Sequence, residues 1–453
     1  MSIPVESEAP PLNQGMGEDQ MLPIQDDAIT SRPPGTSTGS RNIGFFLVVL
    51  LAFLTFFPNL GAFGLWDPWE THYGEVTRNM VETHNWVSPK WGYEGRTIGE
   101  RPAETGPFLS KPVLIFWMEA ISIRTFGFSE WSFRFSMALL AFSLVLMVYR
   151  TIWLITRNAW SSSLAALVLA TCPQFFLISR QAQTDMPFVG TMSIGLLFLM
   201  TALFQGNQEF SDRNYWRKLI FTFLALVALI VPQLIVVATD VQMGAGGRNT
   251  TPMAKFGLSL WKNGIYHSLV YGIVAIPVLG GILWPSLRIW KSEGAFDSEF
   301  KDHTNRKLNL YLFYACIGLA TLAKGLLGFL LPGALIFLFI VVTWNWKLLA
   351  RVELLRGTGV FLLVTLPWYV AMFSVHGMAF YSRFFVHDHF NRFASGVHQV
   401  DTGLFEHFIK WLGLGIFPWT GLVPLVLIPL FLLKKTPRSR IGQFHVFLFI
   451  WTF

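Results

Sequence analysis

A chain of 453 residues that is 53% hydrophobic and only 13% charged, with a mean hydropathy of +0.47, is far more apolar than a soluble globular domain. Its net charge of +7 is carried by Lys and Arg in short clusters between long apolar blocks, a pattern that argues for membrane topology and against a nucleic-acid partner. Cys172 and Cys316 lie far apart inside apolar stretches, so neither a disulfide framework nor a thiolate metal site is implied.

Residues 1–42 carry Glu6, Glu8, Glu18, Asp19, Asp26 and Asp27 among many Pro, Gly, Ser and Thr, with no apolar period. Such a segment buries too little surface to order itself and reads as a disordered cytoplasmic tail, without the charged start and cleavage site of a signal peptide. The first apolar run, 43–63, would span ~31 Å as a helix against a bilayer core of ~30 Å. Further spans are predicted over 132–155, 161–180, 187–204, 218–238, 265–288, 309–324, 326–343, 357–375 and 410–433, with another starting near 444. That last run stops at about half a bilayer with no charged flank, so the sequence reads as truncated there. Residues 111–127 are short for a span and contain Glu119 and Arg124, which predicts an interfacial or re-entrant helix within one large loop.

With Arg41 in the cytoplasm, Arg150 and Arg157, then Arg213, Arg217 and Lys218, then the basic stretches of 288–307, 347–356 and 434–440 all fall on that side. The outer face then collects 64–131, the turn at 180–185, 239–262, the break at Lys324 and 376–409. The fold expected is an all-α polytopic membrane bundle over 43–453 with a large first extracytoplasmic loop.

Nearly all the unusual polar chemistry falls on that outer face. Trp66-Asp67-Pro68-Trp69-Glu70-Thr71-His72-Tyr73-Gly74-Glu75 begins where the first span ends. Asp67, Pro68 and Glu70 match an N-cap, a first-turn proline and a capping-box acid, while Trp66 and Trp69 favour the headgroup level, where a carboxylate base could meet a lipid-borne substrate. Glu75, Arg78 and Glu82 share one helical face and can pair with each other. Lys111 opens the short helix and either snorkels to headgroups or holds a phosphate. Arg180 and Asp185 flank a polar turn between two spans, where ionisable groups are either functional or paired with each other. Lys324-Gly325 interrupts an apolar run too long for one span and is either a hairpin tip or a functional break. His387, Asp388, His389 and His398 invite a metal reading, but their spacing matches no tight zinc signature; Arg392 as a bidentate phosphate ligand is the sharper idea.

In order along the chain, the 67–80 segment, Lys111-Pro112, 126–131, Gln183-Thr184-Asp185-Met186-Pro187, Leu322-Ala323-Lys324-Gly325, Pro367-Trp368-Tyr369, the segment from His389 to Phe393 and Phe417-Pro418-Trp419 resemble the membrane-embedded glycosyltransferases of the GT-C class, family 39. That family holds the lipid A aminoarabinose transferases and protein O-mannosyltransferases, and the bacterial aminoarabinose-transferase-like branch looks closest. The resemblance implies a transmembrane helix bundle with juxtamembrane helices in its first outer loop, in the inner (plasma) membrane. It also implies transfer of a sugar from a polyprenyl-phosphate donor to a lipid A, glycan or protein hydroxyl outside the cytoplasm. By resemblance, Asp67 matches the catalytic base, Lys111 the lysine near the donor phosphate, and Asp185 an acid lining the cavity. The family's residue before that lysine is usually a glutamate thought to help hold a metal; here it is Ser110, which puts a divalent metal and aminoarabinose specificity in doubt.

The expected chemistry is a single inverting displacement, with Asp67 taking the acceptor's proton and Lys111 and Arg392 on the departing phosphate. Glu70, Glu75, Asp185, Lys324 and His389 are expected to support or line the site. A transporter for an anionic or sugar substrate is the rival reading, since ionisable residues in broken spans also mark substrate paths. A non-catalytic scaffold with a merely capped helix at Asp67 is a third.

Overall fold

The structure, a computed structural model, describes residues 38–92, 97–98, 101–102, 106–207, 210–244, 264–391, 405–425 and 439–452. The disordered tail expected over 1–42 lies outside the described residues except for 38–42, which are helical, and the roles expected of Arg392 and His398 also lie outside them.

Helix α1 (Thr38–Phe56) starts before the first apolar run and stops well short of 63. Pro58, which cannot extend an α-helix, lies two residues past its end. The loop that follows carries α2 (Trp69–Thr83), two short antiparallel strand pairs and α3 (Leu114–Phe126). Lys90–Trp91 pairs with Gly106–Pro107, and Thr97–Ile98 with Arg101–Pro102. Neither α2 nor α3 is long and apolar enough to cross a membrane, as expected for helices lying in an outer loop.

Then come α4 (Glu130–Thr156), α5 (Ala159–Thr171), α6 (Pro173–Ser179), α7 (Asp185–Phe204), α8 (Asp212–Gly244), α9 (Gly264–Glu293), α10 (Ser298–Lys324), α11 (Leu327–Thr343) and α12 (Leu354–His376). The chain closes with α13 (Phe405–Gly415) and α14 (Arg440–Thr452). Among the described residues five helices, α4, α7, α8, α9 and α12, are long and apolar enough to span a bilayer. The single span predicted over 161–180 is instead two helices bent by 66°, because Pro173 lacks the N–H that would continue the α5 ladder. That pair is either one broken span or a re-entrant loop, and with five helices able to span a bilayer the chain is a multi-pass membrane protein.

Two other expectations change. α10 begins at Ser298 rather than near 309: Asp297 accepts from the Glu299 amide as an N-cap, and the first turns carry charged residues outside the apolar stretch. The run predicted over 410–433 is not one helix in its described part, since α13 ends at Gly415 and a 3₁₀ turn, Trp419–Leu422, follows Pro418.

α7 is the most enclosed span, with 72% of its apolar window buried, and packs along α10 and α4. Small residues allow that closeness: a Cβ at Gly195 would stand 3.0 Å from the Cys316 Cβ of α10, and one at Gly190 2.6 Å from the Leu140 Cγ of α4.

The helix ends sort by chemistry. At one end lie the outer loop, the 180–184 turn, the ends of α8, α10 and α12, and the start of α11. Asp240 accepts from the Trp86 amide at 2.5 Å, the Ser88 hydroxyl meets His376 Nε2 at 2.6 Å, and the Trp368 indole donates to the Val87 carbonyl at 2.9 Å. At the other end sit the basic connections: Lys301 with Asp212 at 3.0 Å, Lys307 with Glu353 at 2.7 Å, and Arg306 with Asp302 at 2.8 Å. Among the described residues, the grouping of loops read from charge alone is therefore the grouping in three dimensions.

Candidate active site

The helix α2 starts at Trp69, with Pro68 at the N-cap position and no side-chain cap. Asp67 thus sits one residue too early to cap the first turn, which corrects the N-cap expectation. It is exposed, and its Oδ1 accepts the Thr71 hydroxyl at 2.8 Å. Its second oxygen has no protein partner among the described residues. The reaching-back role falls to Glu70, whose Oε2 accepts the Trp66 amide at 2.8 Å.

Glu70 is fully buried and paired with Arg134, four residues into α4 and also fully buried. The guanidinium grips both carboxylate oxygens, at 2.9 and 2.7 Å. Its remaining three donors go to the carbonyls of Leu60, Phe63 and Gly64 at 2.8, 2.9 and 2.8 Å, so all five are satisfied. Glu70 Oε1 also accepts the Ala182 amide at 2.7 Å. One buried ion pair thereby fixes the end of the first span, the head of α2, the start of α4 and the 180–184 turn, which makes Glu70 a support of the Asp67 segment. Arg134 was missed in the sequence; the signal was an arginine one turn inside an apolar helix, where an ionised group needs a partner.

Glu75 binds Arg78 at 2.9 and 3.0 Å, and Arg78 also pairs with Glu82. Burial opposes the Arg78 charge, but its bonds to Glu75 and Glu82 prevail and hold its pKa above the ordinary arginine value. Asn79, beside this cluster, donates to the Gly92 carbonyl at 2.9 Å and ties α2 to the strand pair. Glu75 is thus part of a supporting network. His72 stacks on Trp91 with centroids 4.6 Å apart and touches Phe108 at 5.1 Å; burial there lowers its pKa.

Lys111 is half-buried on the connection from Gly106–Pro107 into α3, and α3 packs on α2, α4 and α10. Behind it, Glu119 of α3 is enclosed and accepts the Thr77 hydroxyl of α2 at 2.5 Å.

Arg180 and Asp185 do not pair. Arg180 caps the end of α1 instead, donating to the carbonyls of Thr55, Phe56 and Pro58 at 3.1, 3.2 and 2.6 Å, where a cation complements exposed C-terminal carbonyls. Asp185, at the start of α7, bonds Lys324 at the end of α10, and the Lys324 ammonium lies 5.6 Å from the Phe188 ring centroid. His389 is close by: its Nδ1 donates to the Phe384 carbonyl at 2.7 Å, and its ring covers Gly325. Gly325 has φ +72°, and a Cβ there would collide with that ring, so only glycine fits the turn after Lys324. His387 instead meets Asp388 at 3.2 Å. Asp67, Glu70, Asp185, Lys324 and His389 thus share one end of the bundle, joined through the Glu70–Arg134 pair and the 180–184 turn.

Residues 110–240 match the family model described as dolichyl-phosphate-mannose-protein mannosyltransferase. The chain is 24% identical over 409 residues to an undecaprenyl phosphate-alpha-4-amino-4-deoxy-L-arabinose arabinosyl transferase of Pseudomonas fluorescens, covering 89% of this chain and 52% of that one. It is 25% identical over 385 residues to the like-named protein of Shewanella sediminis, covering 83% and 49%. The crystal structure of ArnT from Cupriavidus metallidurans bound to undecaprenyl phosphate superposes with a TM-score of 0.57 at 19% identity, over 92% of this chain and 54% of that chain. The chain therefore has the all-α polytopic GT-C fold and resembles the lipid A aminoarabinose transferases; it spans about half the length of these curated relatives.

Proposed function

We propose that this chain is a membrane glycosyltransferase that moves a sugar from a polyprenyl-phosphate donor to a lipid acceptor on the extracytoplasmic side of the membrane. The donor class is supported by the relatives named for undecaprenyl phosphate-linked aminoarabinose, and the side by the positive-inside distribution of Arg and Lys. Glycan and protein hydroxyls are acceptors that the same chemistry would serve.

The observation that carries this reading is the carboxylate of Asp67. One oxygen is fixed by Thr71 and the other is open, on an exposed turn held by a buried ion pair. In the proposed reaction Asp67 takes the proton from the acceptor oxygen as that oxygen attacks the anomeric carbon, and the bond to the donor phosphate breaks on the opposite face. The configuration inverts in this single displacement. Lys111, with Arg392, neutralises the charge that develops on the departing polyprenyl phosphate. Lys324, Asp185 and His389 lie at the same end of the bundle and are assigned to the surroundings of the site, Glu70 fixes the segment that carries Asp67, and Glu75 braces α2 through Arg78.

No step is assigned to a metal. Ser110 offers a hydroxyl where the family's carboxylate would stand, and among the described residues no three His, Cys, Asp or Glu side chains converge on a point.

Asp67→Asn should lower transfer from a polyprenyl-phosphate sugar by about 10²–10⁴-fold, the range of general-base catalysis, with the melting temperature in detergent unchanged. Mass spectrometry of lipid A and extracted glycolipids from cells with and without the protein identifies the product. A folded Asp67→Asn protein that still transfers sugar at the parent rate would remove Asp67 from the mechanism.

A further inference from the structure

A polar concavity lies at the end of the bundle opposite Asp67, between α7, α10, α11, the segment before α12, and α14. It has a volume of about 450 Å³ and is lined by Arg306, Lys307, Arg351 and Arg440, with Glu353 the one carboxylate among its lining residues. Lys307 is engaged by Glu353 at 2.7 Å, and Arg306 by Asp302 at 2.8 Å and the Ala202 carbonyl at 3.1 Å. The other two cations keep donors in reserve. Arg440 gives Nη1 to the Phe204 carbonyl at 3.0 Å, and its Nη2 forms no hydrogen bond among the described residues. Arg351 is exposed and forms no ion pair among the described residues.

Positive-inside topology accounts for basic residues in these connections, but not for four of them converging on one cavity with guanidinium donors unmet. A second feature sets the depth of the site. Trp344 and Trp346, just after α11 and beside the lining residue Asn345, are exposed with ring centroids 6.1 Å apart, and such indoles favour the headgroup level.

We propose that this cavity binds a phosphate-bearing anion, its depth favouring the headgroup of an anionic phospholipid, with Arg351 and Arg440 as the principal ligands. Guanidinium forks match phosphate oxygens in bidentate geometry, and basic pockets between transmembrane helices suit such headgroups. The site lies at the far end of the bundle from Asp67 and Lys111, so its occupant is distinct from the sugar donor.

The test uses the whole chain purified in detergent. Native mass spectrometry after exchange into phosphatidylglycerol or phosphatidylcholine gives the retained lipid, and melting with and without inorganic phosphate gives the soluble arm. Phosphatidylglycerol should be retained over phosphatidylcholine, and Arg351→Gln combined with Arg440→Gln should reduce that retention about tenfold or more, as loss of two charge-assisted contacts requires. Glu353→Gln should act oppositely and increase retention, which keeps the test decisive if the double variant fails to fold. Stabilisation by inorganic phosphate that is lost in the double variant, without lipid selectivity, would identify a soluble phosphate as the ligand and still support the site. Equal retention of both lipids with no phosphate effect, or phosphatidylglycerol retention that neither variant alters, would overturn it.

Discussion

Glu119 shows how much a single side chain of the outer loop can report. It is enclosed between α2 and α3, with one oxygen on the Thr77 hydroxyl and the other without a partner among the described residues. Burial pushes its pKa well up, and the nearby Glu70 carboxylate adds to the rise, while the Thr77 bond opposes it. A carboxyl whose pKa is higher folded than unfolded contributes most below the unfolded value of roughly 4.3, and that contribution is lost as pH rises through the folded pKa. Glu119→Gln, which mimics the neutral acid, should therefore melt like the parent below about pH 4 and above it at alkaline pH. Parallel melting curves across that range would mean that Glu119 is not held neutral. The chemistry of Glu119 was invisible in the sequence, where it only made 111–127 too polar for a span; its partner Thr77 is 42 residues away and on another helix.

At the scale of elements, what was legible and what was not divides along the same line. Long apolar blocks announce spanning helices because each must satisfy its backbone internally, so α4, α7, α8, α9 and α12 were readable from hydropathy. The break at Pro173 and the early end of α1 were signalled by single prolines inside or after apolar runs, which window averages hide. Ionic partners were read least well: Arg180 and Asp185 are five apart and looked paired, yet Asp185 chose Lys324, 139 residues on. The Glu70–Arg134 pair, 64 residues apart, is the clearest case, because it ties together the segments that carry Asp67. Removing one partner of a buried pair leaves an uncompensated charge, a loss of ~3–5 kcal/mol. Arg134→Met should accordingly lower the melting temperature sharply and cost the protein its monodisperse elution in detergent. Combining it with Glu70→Gln should restore part of the loss, since the stranded charge is gone. If Arg134→Met melted as the parent does, these elements would be held by packing alone.

At the scale of the whole molecule, the two ends of the bundle divide the work. One carries the loop helices, the open Asp67 carboxylate and the Asp185–Lys324 pair; the other carries the basic connections and the Arg351–Arg440 cavity. For a bilayer-spanning bundle these ends face opposite compartments, and under the proposed function the cationic end is the cytoplasmic one, as the positive-inside rule predicts. Gly64 and Ser292 sample the two ends. A Cβ at Gly64 meets nothing within 4 Å, and Ser292 is exposed near the end of α9, one turn from the Trp290–Phe296 contact at the basic end. Gly64→Cys should react with a membrane-impermeant maleimide in intact cells whose cytoplasmic membrane is sealed, whereas Ser292→Cys should react only after permeabilisation. The parent's own thiols set the background: Cys172 is buried and Cys316 partly so, within the bundle. Labelling of both engineered sites from one side would break the two-ended arrangement. Labelling of each from the side opposite to that expected would leave the bundle intact but move Asp67 into the cytoplasm, and with it the proposed site of sugar transfer.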